Sequence, residues 1–368
     1  MVVEPQLAAT EASDSIEEGL PAAPSGPAGA VRPVPQMPPL FLHIGRGKSG
    51  SSTIQSLVHQ HQDFMNAMGI VCPLTVRGTV NHHPLASALY APNEDPETIQ
   101  KFRADVRKNK KRKLFISAEA LFSLSREGME RLKRHGGGRE IRILCYVRDY
   151  PGWFQSIYAQ RTKKGSNLQD FDAYFKAVRH NVSAVPRIKR WAKVFGWQAM
   201  HVRPLLPEAL AGGDLITDVL QAMDVQAPPP EIEAQNVAPH WVTLELLRAM
   251  ADAAKSRSLS LDPRSLRACR ELIEECATGA EPRRVQYLTR EQWLDLSELF
   301  RSDMEHLGKR LKVSLPVTVR DPPERAFLPD ISTVPTAVKA AVREKSNEPD
   351  FRTRTARPVH ELLQTLLK

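Results

Sequence analysis

The stretch that most limits what this chain can become is Gly45-Arg46-Gly47-Lys48-Ser49-Gly50-Ser51-Ser52-Thr53. It follows the apolar run Leu40-Phe41-Leu42-His43-Ile44, which reads as a buried strand. It precedes a helix from about Ser52, where Ile54, Leu57, Val58 and Met65 recur on one face. Strand, glycine-rich turn and helix together make an anion cradle. The glycines let the backbone fold tightly, the N–H groups and the helix N-terminus point inward, and the hydroxyls add donors. The pattern GxxxxGK[ST] of the nucleoside triphosphate hydrolases is not met. Gly45 and Gly50 have the right separation, but Ser51 stands where that motif needs lysine, and Lys48 lies inside the loop. A plain Gly/Ser turn ahead of a helix would use the same residues with no ligand at all.

Further apolar runs, Lys113 to Ser117 and Ile141 to Val147, have the near-continuous character of parallel strands covered on both faces, and Gln198 to Val202 is a weaker fourth. Helical patterns fall between and after them at Pro96 to Lys108, Arg126 to His135, Pro151 to Arg161, Leu168 to Val178 and Arg187 to Phe195. This alternation predicts right-handed crossovers and an α/β fold, a three-layer α/β/α sandwich around a central parallel sheet. Beyond residue 230 the strand signal stops, and Trp241 to Ala254, Ser265 to Cys276 and Arg290 to Leu311 read as C-terminal amphipathic helices packed on the core. The organisation expected is a Pro/Ala-rich leader over 1–39, too poor in large apolar residues to fold, and an α/β domain over 40–315 with a helical subregion over about 236–315. A partly disordered extension over 316–368 follows, in which Val359 to Leu367 is a candidate helix.

Charge narrows the partners. The chain has 51 Lys and Arg against 42 Asp and Glu, a net +9. Five of the acids (Glu4, Glu11, Asp14, Glu17, Glu18) and one base (Arg32) sit in the leader, so the rest carries 50 bases against 37 acids, a net +13. A nucleic acid, an anionic nucleotide or an acidic polymer would each suit such a body. The run from Lys101 to Lys113, with eight Lys or Arg, ends a helix where cations favour the dipole, and reads as a solvated helix end. No stretch is long and apolar enough for a bilayer, and the first residues lack the pattern of a signal peptide. The four cysteines, Cys72, Cys145, Cys269 and Cys276, form no CxxC pair. Reduced thiols and a cytoplasmic protein are expected.

The second informative segment is Val147-Arg148-Asp149-Tyr150-Pro151, followed by Trp153, Ser156, Tyr158 and Gln160. Pro151 suits a first helical turn and Asp149 its cap, so Arg148 is presented at the carboxyl edge of the sheet, where open α/β sheets bind ligands. Taken together, these residues resemble the PAPS-dependent sulfotransferases, specifically the bacterial relatives of the carbohydrate sulfotransferases. His43-Ile44-Gly45 with Lys48-Ser49-Gly50-Ser51-Ser52 is similar to that family's phosphosulfate loop. Arg148 and Ser156, eight residues apart, are similar to its 3′-phosphate site. The resemblance extends through Ser117-Ala118-Glu119, through Arg203 to Met223, and to Asn236, with Ala238 where the family's serine usually stands.

The resemblance implies sulfuryl transfer from PAPS to a hydroxyl, less readily an amine, of a carbohydrate-like acceptor, releasing adenosine 3′,5′-bisphosphate, with no metal required. It assigns donor binding to Gly47, Lys48, Ser49, Gly50, Ser51, Ser52, Thr53, Arg148 and Ser156. Lys48 would also meet the leaving oxygen, where a loose transition state gains most from neutralised charge. The base that takes the acceptor proton is open between Glu119, which also suits a helix cap, and His83 or its neighbour His82. Two other readings compete. A P-loop small-molecule kinase conflicts with the misplaced lysine, and a basic nucleic-acid-binding or scaffold protein lacks any recognisable module.

Overall fold

β1 (Leu40–His43) is central because every one of its residues is buried, Leu40 and Leu42 on one face and Phe41 on the other. The computed structural model describes residues 37–90, 95–232, 240–278, 280–281, 285–323 and 330–368; the leader up to residue 36 and the Asn236/Ala238 loop lie outside them. β1 pairs in parallel with β3 (Lys113–Ser117) on one side and β4 (Ile141–Val147) on the other. β2 (Ile70–Val71) flanks β3 and β5 (Met200–Pro204) flanks β4, giving the order β2-β3-β1-β4-β5 with every pair parallel. Pro38 and Pro39 already engage this sheet, their carbonyls accepting from Arg139 Nη1 at 2.6 Å and from Leu114 N at 3.1 Å.

The side-chain alternation of the strands explains the layers. Phe41, Phe115, Leu144 and Tyr146 face α1 (Ser51–Gln60), α2 (Gln62–Ala67) and, from later in the chain, the helix Leu215–Ala222. Leu40, Leu42, Leu114, Ile116, Ile143, Cys145 and Val147 point the other way. They meet α3 (His83–Tyr90), α4 (Pro96–Lys108), α5 (Arg126–His135), α6 (Tyr150–Lys163), α7 (Phe171–Val178) and α8 (Val185–Phe195). The α/β/α sandwich expected from the alternation is therefore the observed architecture. Caps set most of these helices: Asp95, Ser125, Asp149 and Asp170 each accept a backbone N–H at the start of α4, α5, α6 and α7.

Some boundaries differ from the sequence reading. The periodicity from Ser52 through Met65 is split at His61, whose backbone (φ −122°, ψ 43°) is not helical, yet α1 and α2 bury the same face. β5 starts two residues later than expected because Trp197–Ala199 forms a turn of 3₁₀ helix. Pro204 is tolerated there because β5 is an edge strand. The helix Leu215–Ala222, now α9, is capped by Asp214.

The second half is helical. α10 (Trp241–Ser256) packs along α6, and α11 (Pro263–Ala277) packs on α10. α12 (Arg290–Leu311) opens with a capping box, Thr289 and Gln292, and lies on α6. α13 (Thr336–Lys345), α14 (Pro349–Arg354) and α15 (Arg357–Leu366) join α10 and α11 around Val338, Val342, Phe351, Val359 and Leu363. Among the described residues no helix is long and apolar enough to cross a membrane. All four cysteines are free.

Candidate functional site

The loop between β1 and α1 is built around left-handed backbone. Lys48 (φ 70°) and Gly50 (φ 81°) both adopt it, and the Ser49 N–H closes a turn on the Arg46 carbonyl at 3.1 Å. A left-handed lysine is uncommon and is held only where the surroundings fix it. Two bonds do so here: Trp153 Nε1 donates to the Gly47 carbonyl at 2.9 Å, and the Ser49 hydroxyl accepts from Arg148 N at 3.3 Å. Gly50 caps α1 without any side-chain hydrogen bond among the described residues, which leaves the first N–H groups of the helix facing the loop. Ser49 and Ser51 are buried, whereas Ser52 and Thr53 are exposed on the first turn.

Sheet topology brings the other groups to this loop. Lys48 follows β1, Glu119 follows β3 and Arg148 follows β4, three neighbouring parallel strands whose carboxyl ends share one edge. A Cβ on Gly47 would lie 3.3 Å from Glu119 Oε2, so the carboxylate rests against the loop backbone. Burial, opposed by Glu119 but reinforced by Arg148, Lys164 and Lys163, holds the Lys48 ammonium below the ordinary lysine value. Arg148 Nη1 donates to Ser156 Oγ at 3.0 Å, and Asp149 lies 3.8 Å from its Nε while capping α6 through Gly152 N at 2.7 Å. The sequence pair spaced by eight residues is thus a direct contact at the start of α6.

The histidines divide. His82 is buried, with Nδ1 accepting from Ser117 N at 3.1 Å and Nε2 3.1 Å from the Pro73 carbonyl; burial lowers its pKa to about 4. Nδ1 ties the 78–83 loop to the end of β3 and Nε2 ties it to the carbonyl of Pro73 just after β2, which leaves neither nitrogen to accept a proton. His83 starts α3, its N–H capped by Asn81 at 3.1 Å, and its Nε2 is enclosed without a partner among the described residues. His43, under the loop, is 2.8 Å from Ser117 Oγ through Nδ1 and is held neutral by burial, its pKa lowered to about 3.

Two groups were not legible as part of this site. Arg46 is 8% exposed, its guanidinium 3.2 Å over the Trp153 ring, with Nη1 on the Val182 carbonyl and Nη2 3.4 Å from that of Asn181. No ion pair to an acid is found for it among the described residues, and burial pulls its pKa down. Asp303 of α12 receives the hydroxyls of Tyr150 at 2.5 Å and Ser183 at 2.6 Å, pinning the 179–184 segment from the other side. An arginine whose acceptors are carbonyls some 135 residues away leaves no local signal; an acid partner at helical spacing would have.

No family model matches the chain. A protein from Archaeoglobus fulgidus described as uncharacterized is 26% identical over 145 residues, which is 37% of this chain and 37% of that protein. The chain therefore spans little more than a third of that relative. Among solved structures, a sulfotransferase from Alicyclobacillus acidocaldarius superposes over 75% of this chain and 97% of its own, with 12% identity and a TM-score of 0.40, a loose likeness of fold.

Proposed function

We propose that this chain transfers a sulfuryl group from PAPS to a hydroxyl of a carbohydrate-like acceptor. The observation that carries the reading is the Arg148–Ser156 contact standing beside the Gly45–Thr53 loop at one sheet edge. Two separate anion-binding elements suit a nucleotide with both a 5′-phosphosulfate and a 3′-phosphate, and a plain nucleoside triphosphate would leave the second unused. The loop N–H groups and the hydroxyls of Ser49 and Ser51 receive the 5′ group, and Arg148 with Ser156 receives the 3′-phosphate. Lys48 faces the phosphate oxygen that departs as the acceptor oxygen bonds to sulfur. Glu119, against Gly47, takes the acceptor proton, and His83 is the alternative base one strand end away. Lys48 in left-handed backbone inside the loop also separates this chain from a P-loop kinase, whose lysine would occupy the first helical turn, where Ser51 stands.

The test is nucleotide choice. Adenosine 3′,5′-bisphosphate should raise the melting temperature more than ADP or ATP at equal concentration, and Arg148→Ala should erase that preference. Labelled PAPS with a panel of glycans should yield labelled product. Equal shifts for the three nucleotides would overturn the reading.

A further inference from the structure

The face of α6 that meets the loop does not stop at Ser156. Trp153, Ser156, Lys163 and Lys164 are spaced to share one side of the helix, which places the lysines about 12 Å along α6 beyond Ser156. There the end of α6 meets α10 and α11 around a cavity of about 190 Å³, lined by Lys163, Lys164, Arg267 and Arg270 over an apolar floor that includes Leu247 and Leu266. The cations outnumber their partners. Lys163 pairs with Glu274 at 2.7 Å, while the single carboxylate of Glu271 is shared by Arg267, Arg270 and Arg354, the last of which also meets Asp350 at 3.5 Å. Arg270 Nε is buried without a hydrogen bond, and Lys164 makes no ion pair among the described residues. The cavity has room for about one sugar ring, and its floor suits the apolar face of such a ring.

We propose that the acceptor is an acidic sugar chain, and that an anionic group on a unit next to the reacting hydroxyl docks in this cavity on Lys164 and Arg270. The proposal rests on the sulfuryl-transfer reading. A polyanionic donor repels an acidic acceptor unless cations line the approach, and the surplus at the end of α6 supplies them beside Lys48, whose ammonium already feels both lysines. The anion is a uronate carboxylate or a sulfate ester, which share this chemistry.

The experiment is calorimetric titration of the full chain, saturated with adenosine 3′,5′-bisphosphate, with three hexasaccharides. These are unsulfated chondroitin, its neutral carboxyl-reduced form, and the carboxyl-reduced form carrying sulfate esters. The acidic probes should bind at least about tenfold more tightly than the neutral one. Lys164→Ala and Arg270→Ala should each cost about fivefold for the acidic probes and nothing for the neutral one. The relative strength of the two acidic probes identifies the anion. The melting shift given by adenosine 3′,5′-bisphosphate, which tests the underlying reading separately, should persist in Lys164→Ala. Equal affinity for all three probes, binding of none, or loss of that shift in Lys164→Ala would each overturn the assignment. The last result would give Lys164 to the donor.

Discussion

Replacing Arg46 by methionine keeps most of the side-chain stem but removes every donor from a position where two backbone carbonyls depend on it. The loss has two parts: the orphaned carbonyls of Asn181 and Val182, at about 1–3 kcal/mol each, and a desolvated cation over the Trp153 ring, at about 2 kcal/mol. Against this stands relief from burying a charge with no acid partner, worth several kcal/mol. The net expectation is destabilisation of about 2–3 kcal/mol. Spread over the 332 residues from Met37 to Lys368, the unfolding entropy is about 0.7 kcal/mol per degree, so the melting temperature should fall by about 4 °C. The catalytic consequence is larger. Arg46 precedes Gly47, whose carbonyl is held by Trp153, and a loosened loop lets Lys48 leave its left-handed geometry. Turnover should drop about a hundredfold, with adenosine 3′,5′-bisphosphate affinity changed by less than about threefold. Arg46→Lys should recover part of the stability and little of the rate, because an ammonium cannot cover the ring and reach both carbonyls. Differential scanning calorimetry and steady-state kinetics read the two effects. An unchanged melting temperature would refute the energetic argument, and a full rate in a destabilised protein would refute the positioning role.

Lys48→Ala should lower kcat far more than it weakens product-nucleotide binding, since in the proposed transfer its contact strengthens as charge develops on the leaving oxygen; wild-type turnover would remove it from the chemistry. Glu119→Gln and His83→Asn, compared under one set of conditions, should differ. Only the variant that has lost the base should combine intact donor binding with a flattened pH–rate profile. His43 and His82 are neutral when folded, with pKa values lowered by burial to about 3 and about 4, while in the unfolded chain they titrate near 6.5. Their contribution is complete above about pH 6.5 and is lost as pH falls, because only the unfolded chain takes up the protons. By pH 5 the two together should cost about 4 kcal/mol of stability in urea titrations, and a flat profile from pH 7 to 5 would contradict their burial as neutral groups.

What the sequence revealed follows from where the information sits. Pro96–Lys108 was readable to the residue because its signals are local: Asp95 as cap, Pro96 in the first turn, and Ile99, Phe102 and Val106 on one face. Lys113–Ser117 and Ile141–Val147 were equally plain, since strands buried on both faces leave unbroken apolar runs. Ile70–Val71 was invisible, because two residues carry no period, and α3 was hidden by a short, nearly uniform apolar run. Within the candidate site, the placement of Lys48 in the loop and the spacing of Arg148 and Ser156 were legible through their own motifs. That Glu119 rests on Gly47 depends on β3 lying beside β1, a pairing that no spacing along the chain encodes. The grip of Arg46 and the convergence of Tyr150 and Ser183 on Asp303 are products of tertiary packing alone.

The imidazole beneath the loop also limits the order in which this protein can change. A side chain at position 45 would be driven into His43 Nε2 and brought within 3.2 Å of Ser51 Oγ, so even alanine is barred while the histidine remains. Shrinking His43 first would open that space but would strand the Ser117 hydroxyl that now meets Nδ1. His43, Gly45 and Ser117 therefore form a mutational lock: a change at 45 meets the histidine, a change at 43 strands the Ser117 hydroxyl, and a coordinated exchange is needed to reach an alternative loop. In a library that randomises all three together, the functional survivors should be the starting triplet or sequences altered at two or more positions, with the single Gly45 variants missing.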